Sequence, residues 1–198
     1  MAIVVDKDKK REDIALSCKE LILQEGIDKI SVTKLAKVAN IGKGTFYEYF
    51  KNKDELIFEL VNILMKEHNK KKETKLKECK SARGKIKIFY EFFYAQEDIE
   101  LRALYKEFLS ISLIKPSKKM VEFKSECFYF YYKWIEEIID RAIKKGELKP
   151  IAKRLIRGMY AMGEGMFIEY MTTNIVSDLK YEINSCVDDI FNLIEVDR

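Results

Sequence analysis

Between Ser31 and Asp54 the sequence SVTKLAKVANIGKGTFYEYFKNKD admits few backbones. Leu35, Ala36 and Ala39 fall at i, i+1 and i+4, one face of a short helix that the Ser31 hydroxyl is placed to cap. Asn40-Ile41-Gly42 interrupts the pattern, because Asn and Gly accept backbone conformations that other residues resist. Phe46 and Phe50 resume it at i and i+4. Gly44 and Glu48 lie roughly opposite those rings, with Lys43, Thr45, Tyr47 and Tyr49 on the flanks. Two short helices joined by a tight turn, then the start of a third, make a helix-turn-helix. Phenylalanines anchor its second helix, which presents small, polar and hydroxyl-bearing residues outward.

The rest of the chain reads as helix. Its only prolines are Pro116 and Pro150, so long helices are permitted. Few segments alternate with period two, which argues against a large sheet. After an arm over residues 1–9, helices are expected over about 10–25, 53–80, 98–111, 118–145, 150–172 and 179–195, with another beginning near residue 84. With the helix-turn-helix pair this is an all-α chain of about nine helices. The expected division is a helix-turn-helix head over 1–52 and a helical body over 53–198. Charge is uneven: residues 1–53 carry eleven Lys or Arg against eight Asp or Glu, and residues 66–87 carry ten against three. A basic front suits a protein that meets a polyanion with one end. The run at 66–87 is read as a solvated face, with a second DNA contact as the alternative.

IGKGTFYEYFKNKDEL is very similar to the recognition-helix signature of the TetR family of bacterial transcriptional regulators. The match falls on Ile41, Lys43, Gly44, Thr45, Tyr47, Phe50, Lys53 and Leu56, with Phe46 in place of a leucine. Gly42 stands where that family usually carries a capping side chain, so a phosphate contact from that position is lost. The resemblance implies that Ser31, Lys43, Tyr47, Tyr49 and Lys53 hold phosphates, with Thr33, Gly44 and Thr45 nearest the base edges. It also implies a homodimer on a palindromic operator in double-stranded DNA. The last two helices would form its interface, where Ile183, Val187, Ile190 and Ile194 make an apolar stripe.

In the body, the helix over 118–145 carries two apolar stripes, which places it in the middle of a bundle. The resemblance implies a cavity among these helices for a small lipophilic ligand. Phe89, Phe93, Phe108, Phe123, Cys127, Tyr131, Trp134 and Met166 are the candidate walls. Glu164, between Gly163 and Gly165 in an apolar segment, either reaches solvent or pairs with a cation, a polar ligand or a side chain. Aromatic walls with one acid would suit a lipophilic cation. The three glycines at 158, 163 and 165 each cost about 1 kcal/mol against alanine in a helix, and point to a close approach or a bend beside a ligand.

Cys18, Cys79, Cys127 and Cys186 are far apart, without a CxxC pair, and the N-terminus has no signal-peptide apolar region. They read as reduced thiols of a cytoplasmic protein, either small core residues or a redox sensor. One histidine, His68, in a charged helix supports neither a metal site nor a nucleophile–His–acid set, so neither cofactor nor enzyme activity is expected. The leading expectation is a ligand-responsive repressor. The alternative keeps the same head on a regulator that senses no small molecule and answers to a protein partner or acts constitutively.

Overall fold

The structure is a computed structural model that describes residues 6–196. Ten α-helices lie in chain order: α1 (Lys7–Ser17), α2 (Lys19–Glu25), α3 (Val32–Val38), α4 (Lys43–Tyr49), α5 (Lys53–Glu78), α6 (Ala82–Tyr90), α7 (Ile99–Ile114), α8 (Lys118–Lys144), α9 (Ala152–Thr172) and α10 (Leu179–Ile194). No strand occurs among the described residues; Leu148 and Glu195 form one isolated bridge. The fold is all-α, as expected. α1 and α2 are the single helix anticipated over 10–25, interrupted only at Cys18, which gives nine helices when they are taken together. The anticipated arm is shorter than predicted. Residues 1–5 lie outside the described residues, but Asp6 caps a helix that already starts at Lys7, accepting from the Asp8 and Lys9 amides at 3.1 and 3.2 Å.

The helices divide into two compact units. The first comprises the described residues up to Asn69 together with Ile99–Val121. Its core holds Ile14, Ile22, Leu35, Phe46, Phe50, Leu56, Leu60 and Phe108, each at most 2 % exposed. Lys19 pairs with Glu100 at 2.9 Å, joining α2 to the start of α7. Phe58 of α5 meets Phe108 of α7 with ring centroids 6.4 Å apart.

The second unit comprises Lys70–Asp98 and the described residues from Glu122 onward. Here α10 packs on α6 and α9. Ile183, Val187 and Ile194 are buried within the chain, and so is Phe191. Along the seam, Arg83 Nη2 and Nε donate to the Glu195 carboxylate, Arg83 Nη2 donates to Asn192 at 2.9 Å, and Lys87 Nζ lies 2.6 Å from Asp188. The stripe that the sequence offered as an interface between copies is therefore core of this unit, and only Ile190 keeps partial exposure. An apolar stripe on a terminal helix records that something covers it, and here α6 does.

α9 runs through its three glycines without a bend being needed. A Cβ on Gly158 or Gly165 would meet nothing within 4 Å, whereas one on Gly163 would lie 2.6 Å from both Tyr90 and Phe93. Gly163 is thus the close approach. Beside it the Tyr90 hydroxyl donates to the Met159 carbonyl.

Candidate functional site

The helix-turn-helix forms as its sequence dictates, with one exchange of roles. Ser31 Oγ accepts from the Lys34 amide at 3.2 Å and caps α3. In the turn, Asn40 takes the left-handed conformation (φ 52°), while Gly42 is extended (φ −69°) and serves as an N-cap without a side chain for α4. The Ile41 amide returns to the Ala36 carbonyl at 2.9 Å and fixes the turn. Phe46 and Phe50 are fully buried, with ring centroids 5.5 Å apart. Lys43, Gly44, Tyr47 and Glu48 are consequently turned to solvent, with Thr45 and Tyr49 partly so. Gly44 leaves open space outward, and Thr33 of α3 is exposed as well.

Two cations of this unit are occupied by backbone carbonyls. Lys53 Nζ donates to the carbonyls of Ile27, Asp28 and Ile30 at 2.8, 3.1 and 3.0 Å. An ammonium has three N–H donors, so the geometry leaves none for a phosphate. Lys53 holds the turn before α3 instead of standing free, which corrects its expected part. Arg11 of α1 donates to the Tyr49 carbonyl and pairs with Glu59 at 2.6 Å. Its guanidinium lies 4.2 Å from the Phe50 ring centroid. It secures the C-terminus of α4, a long-range role that no local pattern announces.

In the second unit the expected walls fall into separate groups. Phe89, buried, meets Trp134 edge-on at 5.1 Å and Tyr131 at 6.4 Å. The space over Phe89 and Tyr131 is taken by the chain's own cation: Lys72 Nζ lies 5.2 and 5.0 Å from those ring centroids and 3.5 Å from the Phe89 carbonyl. Lys72 is 5 % exposed and forms no ion pair among the described residues. Burial pushes its ammonium down to about 8, against the pull of the Asp98 and Glu91 carboxylates. Phe93 stacks near Phe167 at 5.5 Å. Phe123, Cys127 and Met166 are partly buried. Phe108 belongs to the core of the other unit. Glu164 pairs with Lys124 at 3.1 Å, one of the alternatives its sequence position left open. Burial raises the Cys18, Cys127 and Cys186 thiols, Cys127 to about 11, as for core thiols rather than reactive ones.

Beside that cluster α5, α6 and α8 border an open groove of about 680 Å³. Glu73, Leu76 and Lys77 line it from α5, Lys85 from α6, and Tyr129, Phe130, Lys133, Trp134, Glu137, Ile138 and Arg141 from α8. Of the nine expected ligand residues only Trp134 reaches it. Tyr129 and Phe130 are 65 and 47 % exposed, so the aromatic richness of α8 is partly surface, and α8 is not apolar-covered on every side. Tyr129 and Phe130 fall outside both apolar stripes of α8, and that gap in the periodicity was the available signal.

Residues 18–60 match the family model described as bacterial regulatory proteins, tetR family. The chain is 27 % identical over 178 residues, 88 % of each chain, to a fatty acid metabolism regulator protein of Bacillus subtilis (strain 168). Residues 18–60 are thus a tetR-family DNA-binding region. Its fold agrees with that of a TetR-family transcriptional regulator from Cytophaga hutchinsonii (TM-score 0.78, 18 % identity, 98 % of this chain and 99 % of that one). It agrees likewise with FadR from Bacillus subtilis in complex with stearoyl-CoA (TM-score 0.64, 21 % identity, 90 % of this chain and 96 % of that one). The head that carries this match is the helix-turn-helix described above. Among the described residues no helix is long and apolar enough to cross a membrane.

Proposed function

We propose that this regulator is a repressor that binds a palindromic operator as a homodimer and is released by a fatty acyl thioester. The observation that carries this reading is the extent of the similarity to the fatty acid metabolism regulator: 88 % of each chain, body as well as head. A likeness confined to the head would say nothing about an effector. In this reading residues 1–52 are the DNA-binding head and 53–198 the sensing and dimerising body. Lys43, Tyr47, Tyr49 and Ser31 hold phosphates, and Gly44, Thr45 and Thr33 face the bases. The copies meet through the exposed face of α9, where Leu155, Gly158, Ala161, Gly165 and Ile168 recur at helical spacing, with Ile190 and Leu193 of α10 beside it. A ligand that favours the state unable to bind DNA shifts the population by its differential affinity for the two states.

One observation favours the alternative of a regulator without a small-molecule effector: Lys72 fills the space over Phe89 and Tyr131 that a cationic ligand would take. The same fact argues against a lipophilic cation as effector and agrees with an anionic one. Selection of bound DNA from a random pool, followed by titration of the selected duplex with stearoyl-CoA, tests both readings. Enrichment of a palindrome and release of protein by stearoyl-CoA are expected. An enriched palindrome with no release by any acyl thioester leaves the effector-free regulator, and no enriched sequence overturns both.

A further inference from the structure

We propose that the groove bordered by α5, α6 and α8 is a binding site for the phosphorylated nucleotide head of a coenzyme A thioester. The inference rests on the reading of the effector given above, and assigns the head to a place. Two kinds of group meet in the groove. Tyr129, Phe130 and Trp134 stand along one side of α8, and both Tyr129 and Phe130 hold large ring faces in solvent. Exposed rings grouped in this way suit a flat ring system, because stacking needs only a π-face.

Opposite them lie cations without partners. Lys77 and Lys85 form no ion pair among the described residues, whereas Lys75, two residues before Lys77 on α5, is held by Glu91 at 2.6 Å and Glu97 at 2.8 Å. Arg141 lies at the same groove and engages the Glu137 carbonyl through Nε, which leaves its other donors open. The acids present, Glu73 and Glu137, are outnumbered by Lys77, Lys85 and Arg141, with Lys133 held by Glu136 at 2.6 Å. An anion is therefore favoured, and a cation is not. The volume of about 680 Å³ falls in the range of small-molecule sites, about 300–1,000 Å³. A lone phosphate would leave the rings unused and a lone acyl chain would leave the ammonium groups unused. A nucleotide phosphate engages both.

The chain supplies its own reporter, since Trp134 is its single tryptophan. Coenzyme A without an acyl chain, titrated into the full-length protein, should change Trp134 emission saturably, and pantetheine, which lacks the nucleotide, should not. Lys77→Ala with Lys85→Ala should weaken that binding about tenfold or more, given the strength of hydrogen bonds to charged groups. Tyr129→Ala should weaken it several-fold, by the loss of a stacking face. Both sites are at the surface, and circular dichroism with melting confirms that the variants fold. An unchanged emission with coenzyme A, or an equal response to pantetheine, overturns the proposal. So does a groove covered by a second copy, seen as a Tyr129→Glu variant that turns from dimer to monomer. Operator release separates this inference from the function it rests on. Release by stearoyl-CoA that is unaffected by the Lys77 and Lys85 changes keeps the effector and rejects the groove. Coenzyme A binding in the groove without release of DNA keeps the groove and rejects the effector.

Discussion

Lys72 is a buried cation whose titration couples to folding. Its ammonium is held near 8 in the folded chain against an ordinary 10.5, first of all by burial. Between those values the unfolded chain binds a proton that the folded chain does not, so stability rises with pH across that window and is lowest below it. The difference corresponds to about 3 kcal/mol. Lys72→Met should recover much of that at neutral pH, and the gap between variant and wild type should close as pH approaches 10.5. Urea unfolding of both proteins at neutral and alkaline pH measures it; a gap independent of pH would reject the buried-ammonium account. Lys53 gives a second test at this scale. Lys53→Ala removes hydrogen bonds from a charged donor, each worth about 1.5–3 kcal/mol, so it should lower the melting temperature while leaving the salt slope of DNA binding nearly unchanged. Lys43→Ala should do the reverse, because a cation that neutralises a phosphate releases counterions. The family signature marked Lys53 along with Lys43 and could not separate them, since a motif preserves residues that build the head as well as residues that touch DNA.

At the scale of elements, most of the helices were legible from periodicity and from the turn residues between them. Asn40, Gly146 and Gly26 all take positive φ where the patterns break. What periodicity could not supply was the identity of the covering surface. Ile183, Val187 and Ile194 repeat as an interface stripe would, yet α10 packs on α6 and α9 of the same chain, with Arg83 and Lys87 of α6 pairing to it. The candidate nucleic-acid face followed from local sequence because its anchors, Phe46 and Phe50, are four residues apart. The groove did not, because its sides come from residues 73–85 and 129–141. α9 offers an internal comparison. Gly163→Ala should destabilise by about 1–3 kcal/mol, because the new Cβ would press on Tyr90 and Phe93. Gly158→Ala, with nothing in reach, should stabilise by up to about 1 kcal/mol through helix propensity. Opposite shifts in melting temperature are expected from two identical substitutions on one helix. A loss at both positions would mean that the face bearing Gly158 is also covered.

For the whole molecule, the assembly prediction moves with the burial pattern. Ile168→Glu on the exposed face of α9 should give monomers in sedimentation and lose operator affinity with them. Ile183→Glu should unfold the second unit, visible as loss of helical signal. A folded monomer from Ile183→Glu would return the interface to the stripe first read from the sequence. The two compact units also carry a consequence for how such chains can be recombined. Each is assembled from two stretches of the chain, and the passage from one to the other occurs three times, after Asn69, after Asp98 and after Val121. The first and last of these passages lie inside the unbroken helices α5 and α8. Residues 99–121 thus follow well after the head in the chain yet pack in the same unit with it. A hybrid gene joined once, near residue 52, would set a new head against an old α7, with Lys19–Glu100 and Phe58–Phe108 as the contacts at stake. A head is portable between relatives of this chain only with α7 as its passenger.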